Sequence, residues 1–205
     1  MGLALSSMQL TSSAFNDGTN IPQQYTGEGA DISPQLSWTD APEATKSFAL
    51  ICHDPDAPLI SPGSYGYVHW VLYNIPFNIN SLEENTDLYT SGINDIGNLG
   101  YGGPMPPNGH GIHHYYFWIL ALDLEPSLQE KLSLWELLSV VEPNVIGMNR
   151  LIAKYSRAWF LLELTEADIN GLNDDDTFAQ DIKAELMEQE AAKNQPRQQS
   201  RFVVE

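Results

Sequence analysis

The chain has 205 residues, of which 42% are hydrophobic and 10% aromatic, enough for a single folded domain with a sizeable core. Its 27 acidic residues against nine lysines and arginines give a formal net charge of −18, so binding to nucleic acids or anionic membranes is not expected. The single cysteine, Cys52, excludes a disulfide within the chain, and there is no secretory-type N-terminus and no apolar run near roughly 18 residues, which favours a cytoplasmic protein without a membrane anchor.

Three segments of the first 125 residues are predicted to be strands, because they are rich in aromatic and β-branched residues and are bounded by turn formers. They span residues 46–54, 65–75 and 113–124. The last, HHYYFWILALDL, has an unbroken apolar centre, which predicts a strand covered on both faces. Cys52 lies in the first and is expected to be a small core residue. The pattern favours a mainly β fold, either an antiparallel β-sandwich or a similar antiparallel arrangement.

Helical spacing begins after Pro126, where Ser127 is placed to act as an N-cap. The apolar residues of this predicted helix are Leu128, Leu132, Trp135 and Leu138. Pro143 ends the pattern, and residues 144–155 resume it for about three turns. Residues 158–165 are compatible with a final strand.

The C-terminal residues differ in character from the rest of the chain. Phe178, Ile182 and Leu186 lie on one helical stripe, and the acidic run before them suits a helix N-terminus. We therefore divide the chain into a domain over residues 1–160 and an acidic, largely helical extension over residues 161–205. The extension is expected either to lie on the domain or to bind a partner.

One candidate for a functional site is the segment HDPDAP, residues 53–58. Its prolines restrict the residues before them to extended backbone, so the carboxylates of Asp54 and Asp56 lose little conformational freedom on binding a ligand. Asp-Pro is also a common turn opener, and an ordinary loop is the alternative interpretation.

A second candidate is the segment GGPMPPNGHGIHHYYF, residues 102–117, which contains three of the five histidines. Its glycines allow close backbone approach, and consecutive N–H groups in such a turn can bind an anion. His113 and Tyr115 follow two residues apart, and so lie on the same face of the predicted strand.

The remaining histidine, His69, lies among aromatic residues in a predicted strand. It could bind a ligand, and the alternative is a hydrogen-bonded core residue. Lys46 is the only lysine or arginine before residue 131. A carboxylate close to an imidazole favours its charged form. If the aspartates, His69 and His113 converge, imidazolium groups would therefore supply the positive charge that this part of the chain otherwise lacks.

Taken in order, these motifs resemble those of the phosphatidylethanolamine-binding protein family, in particular its bacterial branch of Raf-kinase-inhibitor-like proteins. The resemblance begins at FNDGTNIPQQYTGEGADISPQLSW, residues 15–38, and continues through the D-P-D-x-P box. It includes HWVLYNIP, residues 69–76, and the pattern G-x-x-P-P-x-G-x-x-x-H that ends at His113. It extends more loosely to about residue 157.

This resemblance implies a sandwich of two antiparallel sheets with peripheral helices. It also implies a small surface pocket for phosphate-like anions or phosphoryl headgroups. His114 stands where the family commonly has arginine. The pocket residues that the resemblance implies are Asp54, Asp56, His69, Gly103, Pro104, Pro106, His113 and Tyr115.

Three functions follow as hypotheses. The first is a non-enzymatic protein, without a cofactor, that binds a small phosphoryl or carboxylate anion and regulates a kinase or another partner through its pocket. The second is a metal-dependent phosphoester hydrolase that uses the Asp/His cluster. The third is an interaction protein that acts through its C-terminal helix. The sequence leaves a homodimer open.

Overall fold

The computed structural model describes residues 5–57 and 66–157. Among these residues, short 3₁₀ helices occupy Gln23–Tyr25 and Glu142–Asn144, and one α-helix, α1, spans Leu134–Val141. The strands are β1 (Gln9–Thr11), β2 (Thr19–Asn20), β3 (Leu36–Thr39), β4 (Ser47–Asp54), β5 (Tyr67–Pro76), β6 (Ser81–Leu82), β7 (Thr90–Ser91), β8 (His113–Leu122) and β9 (Val145–Tyr155). The strand predicted over 158–165 and the extension over 161–205 lie outside the described residues. Within the described part of the chain, no helix has the length and apolar character needed to cross a membrane.

The described strands form two sheets, one of three strands in the order β1-β3-β6 and one of six in the order β2-β9-β8-β4-β5-β7. All neighbouring strands are antiparallel except the short pair β2 and β9, which is parallel. The predicted mainly β fold is confirmed, and so are the three long strands expected in the first 125 residues. They form the centre of the larger sheet as β4, β5 and β8.

Two apolar clusters hold these layers together. The first fills the space between the sheets, where the rings of Trp38 on β3 and Phe48 on β4 meet edge to face with centroids 5.2 Å apart. The second lies on the outer face of the larger sheet, under Leu134 and Leu137 of α1. Cys52 belongs to the first cluster and is fully buried, as predicted.

Strand β8 shows how the two clusters divide one element. Its first half alternates buried and half-buried residues, whereas its last four residues, from Ile119 to Leu122, are all buried. The inner cluster takes Ile119, and the cluster under α1 takes Leu120 and Leu122. The prediction that both faces are covered therefore holds where the helix lies over the sheet and fails nearer His113.

The helix predicted from Ser127 begins six residues later. Ser133 is its N-cap, in a capping box with Glu136. The preceding segment is held in a non-helical form because the side chain of Asn74 bonds both the N–H and the carbonyl of Leu128. Lys131 then adopts a left-handed backbone conformation, with φ +64°, which a helix cannot continue through.

The helical turns predicted over residues 144–155 are wrong, because this segment is strand β9. It pairs with β8 over most of its length, from Val145 opposite Leu122 to Tyr155 opposite His113. Leu151 and Ala153 point into the core two residues apart, so the same apolar residues satisfy a strand period as well as a helical one. Pairing with a distant strand decided between them.

Candidate functional site

A cavity of about 450 Å³ lies at one end of the central strands of the larger sheet. It lies where β4 ends and its antiparallel neighbours β5 and β8 begin, since Asp54 is opposite Tyr67 and His53 is opposite Tyr116. Residues far apart in the chain meet there because antiparallel neighbours bring the end of one strand to the start of the next. The predicted site residues that line this cavity are Asp54, His69, Gly103, Pro106, His113 and Tyr115.

A buried acid–imidazole pair forms the floor of the site. His113 Nδ1 lies 2.7 Å from Asp54 Oδ2, and both side chains are almost fully buried, at 2% and 3% exposed. A carboxylate is an acceptor, so Nδ1 carries a proton and donates it. The other Asp54 oxygen, Oδ1, accepts the main-chain N–H of Asp56 at 2.8 Å. The ring of His113 is thus fixed in orientation, and its Nε2 has no partner among the described residues.

The second histidine, His69, is also fixed by its Nδ1. This atom donates to the carbonyl of Gly102 over 2.6 Å, and the Gly102 N–H bonds in return to the carbonyl of His69 over 2.9 Å. Burial lowers the pKa of His69, and the bond to Gly102 and the charge of Asp54 offset this only in part. His69 is therefore neutral at pH 7, and its Nε2 is a hydrogen-bond acceptor. The expectation that His69 adds positive charge is wrong for this reason.

NMR of the histidine rings should show His69 as the Nδ1–H tautomer, with a titration midpoint below the ordinary value of 6.5. Because the unfolded chain then binds this proton more readily than the folded one, the free energy of unfolding should fall as pH drops below 6.5, and this loss should end below the folded-state pKa. His69→Asn keeps an N–H near Gly102 and should remove this part of the pH dependence. A midpoint above 6.5 would contradict the assignment.

The phenol of Tyr115 lies beside both imidazoles. Its ring centroid is 5.1 Å from that of His69, in an edge-to-face contact, and 6.5 Å from that of His113. Burial, reinforced by the charge of Asp54, raises the pKa of Tyr115 far above its ordinary value, so its hydroxyl stays protonated. That hydroxyl has no hydrogen-bond partner among the described residues. A buried donor in this state is costly unless a ligand or water accepts its proton.

The glycine-rich loop uses its main-chain groups differently from the prediction. The N–H of Gly103 donates to Asp31 Oδ1 over 2.6 Å, and the N–H of Gly102 is taken by His69. These two amides are therefore unavailable to an anion, and this part of the predicted anion-binding turn is wrong. Gly103 is required for close approach, since a Cβ there would lie 2.5 Å from the carbonyl oxygen of Tyr25.

Two of the predicted site residues lie outside the cavity lining. Asp56 faces the surface, where its Oδ2 accepts both the main-chain N–H and the Nδ1 of His114, each at 2.8 Å. Its side chain is 41% exposed. Pro104 is buried outside the lining, and its carbonyl accepts the N–H of Gly27 over 3.0 Å. The structure therefore brings together six of the eight predicted residues, and their role in binding stays a prediction.

Two polar residues of the cavity were not predicted. Tyr67 opens β5, and its ring lies 4.8 Å from that of His69. Arg157 follows β9, and its Nε lies 3.0 Å from Glu28 Oε1. Arg157 could have been predicted only if residues 145–155 had been interpreted as a strand paired with β8, because that pairing brings the end of β9 to the cavity.

Metal binding has little support in this geometry. Among the described residues, no group of three or more histidine, cysteine or acidic side chains is placed to hold a metal ion. Both oxygens of Asp54 already accept protein hydrogen bonds, and Asp56 is turned toward His114.

The domain has a preformed cavity at the ends of its central strands, lined by apolar residues and a few converging polar groups. These are the features of a small-molecule binding domain. Residues 11–156 match the family described as phosphatidylethanolamine-binding protein. The chain belongs to the phosphatidylethanolamine-binding protein family.

Similar proteins extend this assignment. A UPF0098 protein from Methanothermobacter thermautotrophicus is 44% identical over 157 residues, which are 73% of this chain and 99% of that protein. A UPF0098 protein from Aquifex aeolicus is 46% identical over 124 residues, 58% of this chain and 70% of that protein.

Two crystal structures share the fold. The homologue CT736 from Chlamydia trachomatis is 36% identical, with a TM-score of 0.68, covering 73% of this chain and 97% of that one. YbcL from Escherichia coli, described as a member of the mammalian family, is 32% identical, with a TM-score of 0.68, covering 74% of this chain and 99% of that one.

Proposed function

We propose that this protein binds a small phosphoryl-type anion in the cavity at the ends of the central strands and acts by binding rather than by catalysis. The observation that carries the proposal is that His113 Nε2 and the Tyr115 hydroxyl, both lacking a protein partner among the described residues, belong to one cavity. Both groups can donate to oxygens of an anion, His113 when its ring is protonated.

Asp54 contributes indirectly. Its carboxylate accepts the Nδ1 proton of His113 over 2.7 Å and so fixes the orientation of that ring. Hydrogen bonds from a charged donor to phosphate oxygens are stronger than neutral ones, which favours a phosphoryl group as the guest.

His69 narrows the class of ligand further. As a neutral ring with Nδ1 held by Gly102, it offers an acceptor and not a donor. A fully deprotonated oxygen facing this nitrogen would be repelled, whereas a P–OH group or an ammonium group could donate to it. This supports a monoprotonated phosphate, or a phosphoryl headgroup that also carries an amine.

The cavity has room for more than the anion. Its volume of about 450 Å³ lies within the range typical of small-molecule sites. Ile96 and Met105 line it and are 56% and 55% exposed, so the mouth of the cavity is apolar. A phosphoryl group with a small organic substituent fits this distribution of polar floor and apolar rim.

Binding is preferred over hydrolysis because the cavity lacks an activated nucleophile among the described residues. His113 and His69 spend their Nδ1 atoms on Asp54 and Gly102, and neither is hydrogen-bonded to a serine, threonine or cysteine. Incubation with a phosphomonoester, with and without added divalent metal ions, should therefore give no turnover. Regulation of a kinase or other partner, a homodimer and a cytoplasmic location stay predictions.

Loss of the His113 Nε2 donor should weaken the affinity for inorganic phosphate about tenfold, which is the loss of one hydrogen bond from the ring to the anion. Isothermal titration calorimetry measures this affinity.

His113→Asn is the decisive variant, since its amide can still donate to Asp54 in the place of Nδ1 while Nε2 is lost. The matched control is His114→Asn, which makes the same change on the exposed pair outside the cavity. Phosphate affinity that is equal in the two variants would exclude the proposed role of His113.

A further inference from the structure

The cavity contains one permanently charged cation, Arg157. Within the described part of the chain, the other lysines and arginines lie elsewhere. Lys46 pairs with Asp123 over 2.7 Å, and Arg150 lies over the ring of Tyr116 at 5.4 Å. Arg157 alone among these basic residues lines the cavity.

Strand pairing brings Arg157 to this position. Tyr155, the last residue of β9, is opposite His113, the first residue of β8. Arg157 follows two residues later and is therefore still at the end of the strands where the cavity lies. The side chain of Arg157 is 24% exposed, so it is partly shielded from bulk water.

The orientation of the guanidinium is set by Glu28. One carboxylate oxygen of Glu28 accepts Arg157 Nε over 3.0 Å, and the other accepts the Tyr155 hydroxyl over 2.6 Å. The hydrogen bond from Tyr155, followed by the bond and charge of Arg157, lowers the pKa of Glu28, so this carboxylate stays ionised. Because the contact uses Nε, it does not need the two Nη amino groups, which make no hydrogen bond to the residues that the structure describes.

We infer that Arg157 is a specificity-determining residue of the anion site, contacting the ligand through its Nη groups. This inference rests on the proposed function and deepens it. Glu28 offsets part of the positive charge, so the contribution of Arg157 comes from directed donors more than from net charge. A planar fork of this kind recognises an anion with two oxygens in reach, and it remains charged at every physiological pH. It therefore favours a phosphoryl group over a lone oxygen acceptor.

The test compares Arg157→Gln, Arg157→Lys and Arg150→Gln by calorimetric titration with inorganic phosphate. Arg157→Gln should weaken binding about tenfold to a hundredfold, the loss of one charged hydrogen-bonding group. Arg157→Lys should recover only part of this loss, because lysine lacks the fork. Arg150→Gln removes the same charge outside the cavity and should bind as the native chain does.

A direct measurement does not depend on the variants folding. In the native chain, the guanidinium NMR signals of Arg157 should shift on phosphate addition, whereas those of Arg150 should not. If the native chain binds phosphate but Arg157→Gln equals Arg150→Gln and the Arg157 signals stay in place, this inference is overturned and the proposed function stands. If the native chain shows no saturable phosphate binding, both are overturned.

Discussion

Replacing Asp54 by alanine is expected to lower the free energy of unfolding by about 3 kcal/mol. The carboxylate is buried and accepts two hydrogen bonds, from His113 Nδ1 and from the N–H of Asp56. Removing it leaves the buried Nδ1–H of His113 and the partly buried N–H of Asp56 without their acceptor, and the cost of an unsatisfied buried group exceeds the net gain of an ordinary hydrogen bond. Phosphate affinity should fall as well, because the ring of His113 is no longer held. Urea unfolding and phosphate titration measure the two effects.

Asp56→Ala is the matched control for this prediction. The same residue type is removed two positions away, but its side chain is 41% exposed and pairs with the equally accessible His114. An exposed pair of this kind contributes roughly 1 kcal/mol or less. If the two alanine variants unfold at the same urea concentration, the buried pair of Asp54 and His113 is not what stabilises this end of the strands.

Gly103→Ala is expected to cost about 2 kcal/mol of stability and more than tenfold in phosphate affinity. The added Cβ would lie 2.5 Å from the carbonyl oxygen of Tyr25 and 2.8 Å from Asp31 Oδ1. Neither the backbone of Tyr25 nor the Asp31 side chain bonded to the Gly103 N–H can yield without moving the loop. Since the loop forms one wall of the cavity, its displacement should open the binding site.

Gly109→Ala separates this steric effect from a general sensitivity of the loop. Among the described residues other than its chain neighbours, no atom lies within 4 Å of a Cβ at Gly109, but its φ of +77° makes an alanine there unfavourable by about 1 kcal/mol. Gly109 does not line the cavity, so phosphate affinity should be unchanged. Equal affinity losses in the two variants would show that close packing at Gly103 is not what maintains the site.

The convergence of Asp54, His69 and His113 could be predicted because it depends on local patterns. Strands of the right length end and begin beside the D-P-D turn and the glycine-rich loop, and aromatic residues make those strands easy to identify. Antiparallel pairing then brings their ends together. The resemblance to a known family supplied the same residues by position.

What the sequence could not show depended on partners far away in the chain. Asn74 prevents a helix at Leu128, and β8 holds residues 145–155 as a strand although their apolar spacing also suits a helix. Arg157 was missed for that second reason. The amides of Gly102 and Gly103 were expected to face a ligand. Instead, the Gly102 N–H donates to the carbonyl of His69 and the Gly103 N–H donates to the carboxylate of Asp31. Local propensity decides little where tertiary contacts satisfy the backbone.

The ends of β4 and β8 carry two pairs of an aspartate and a histidine, one buried and one exposed. Asp54 with His113 is almost fully buried at the cavity, whereas Asp56 with His114 faces solvent, where ions and water screen it. The same two residue types therefore have different roles at the two positions. The buried pair fixes the orientation of the His113 ring in the cavity, whereas the exposed pair only links the turn at Asp56 to the start of β8.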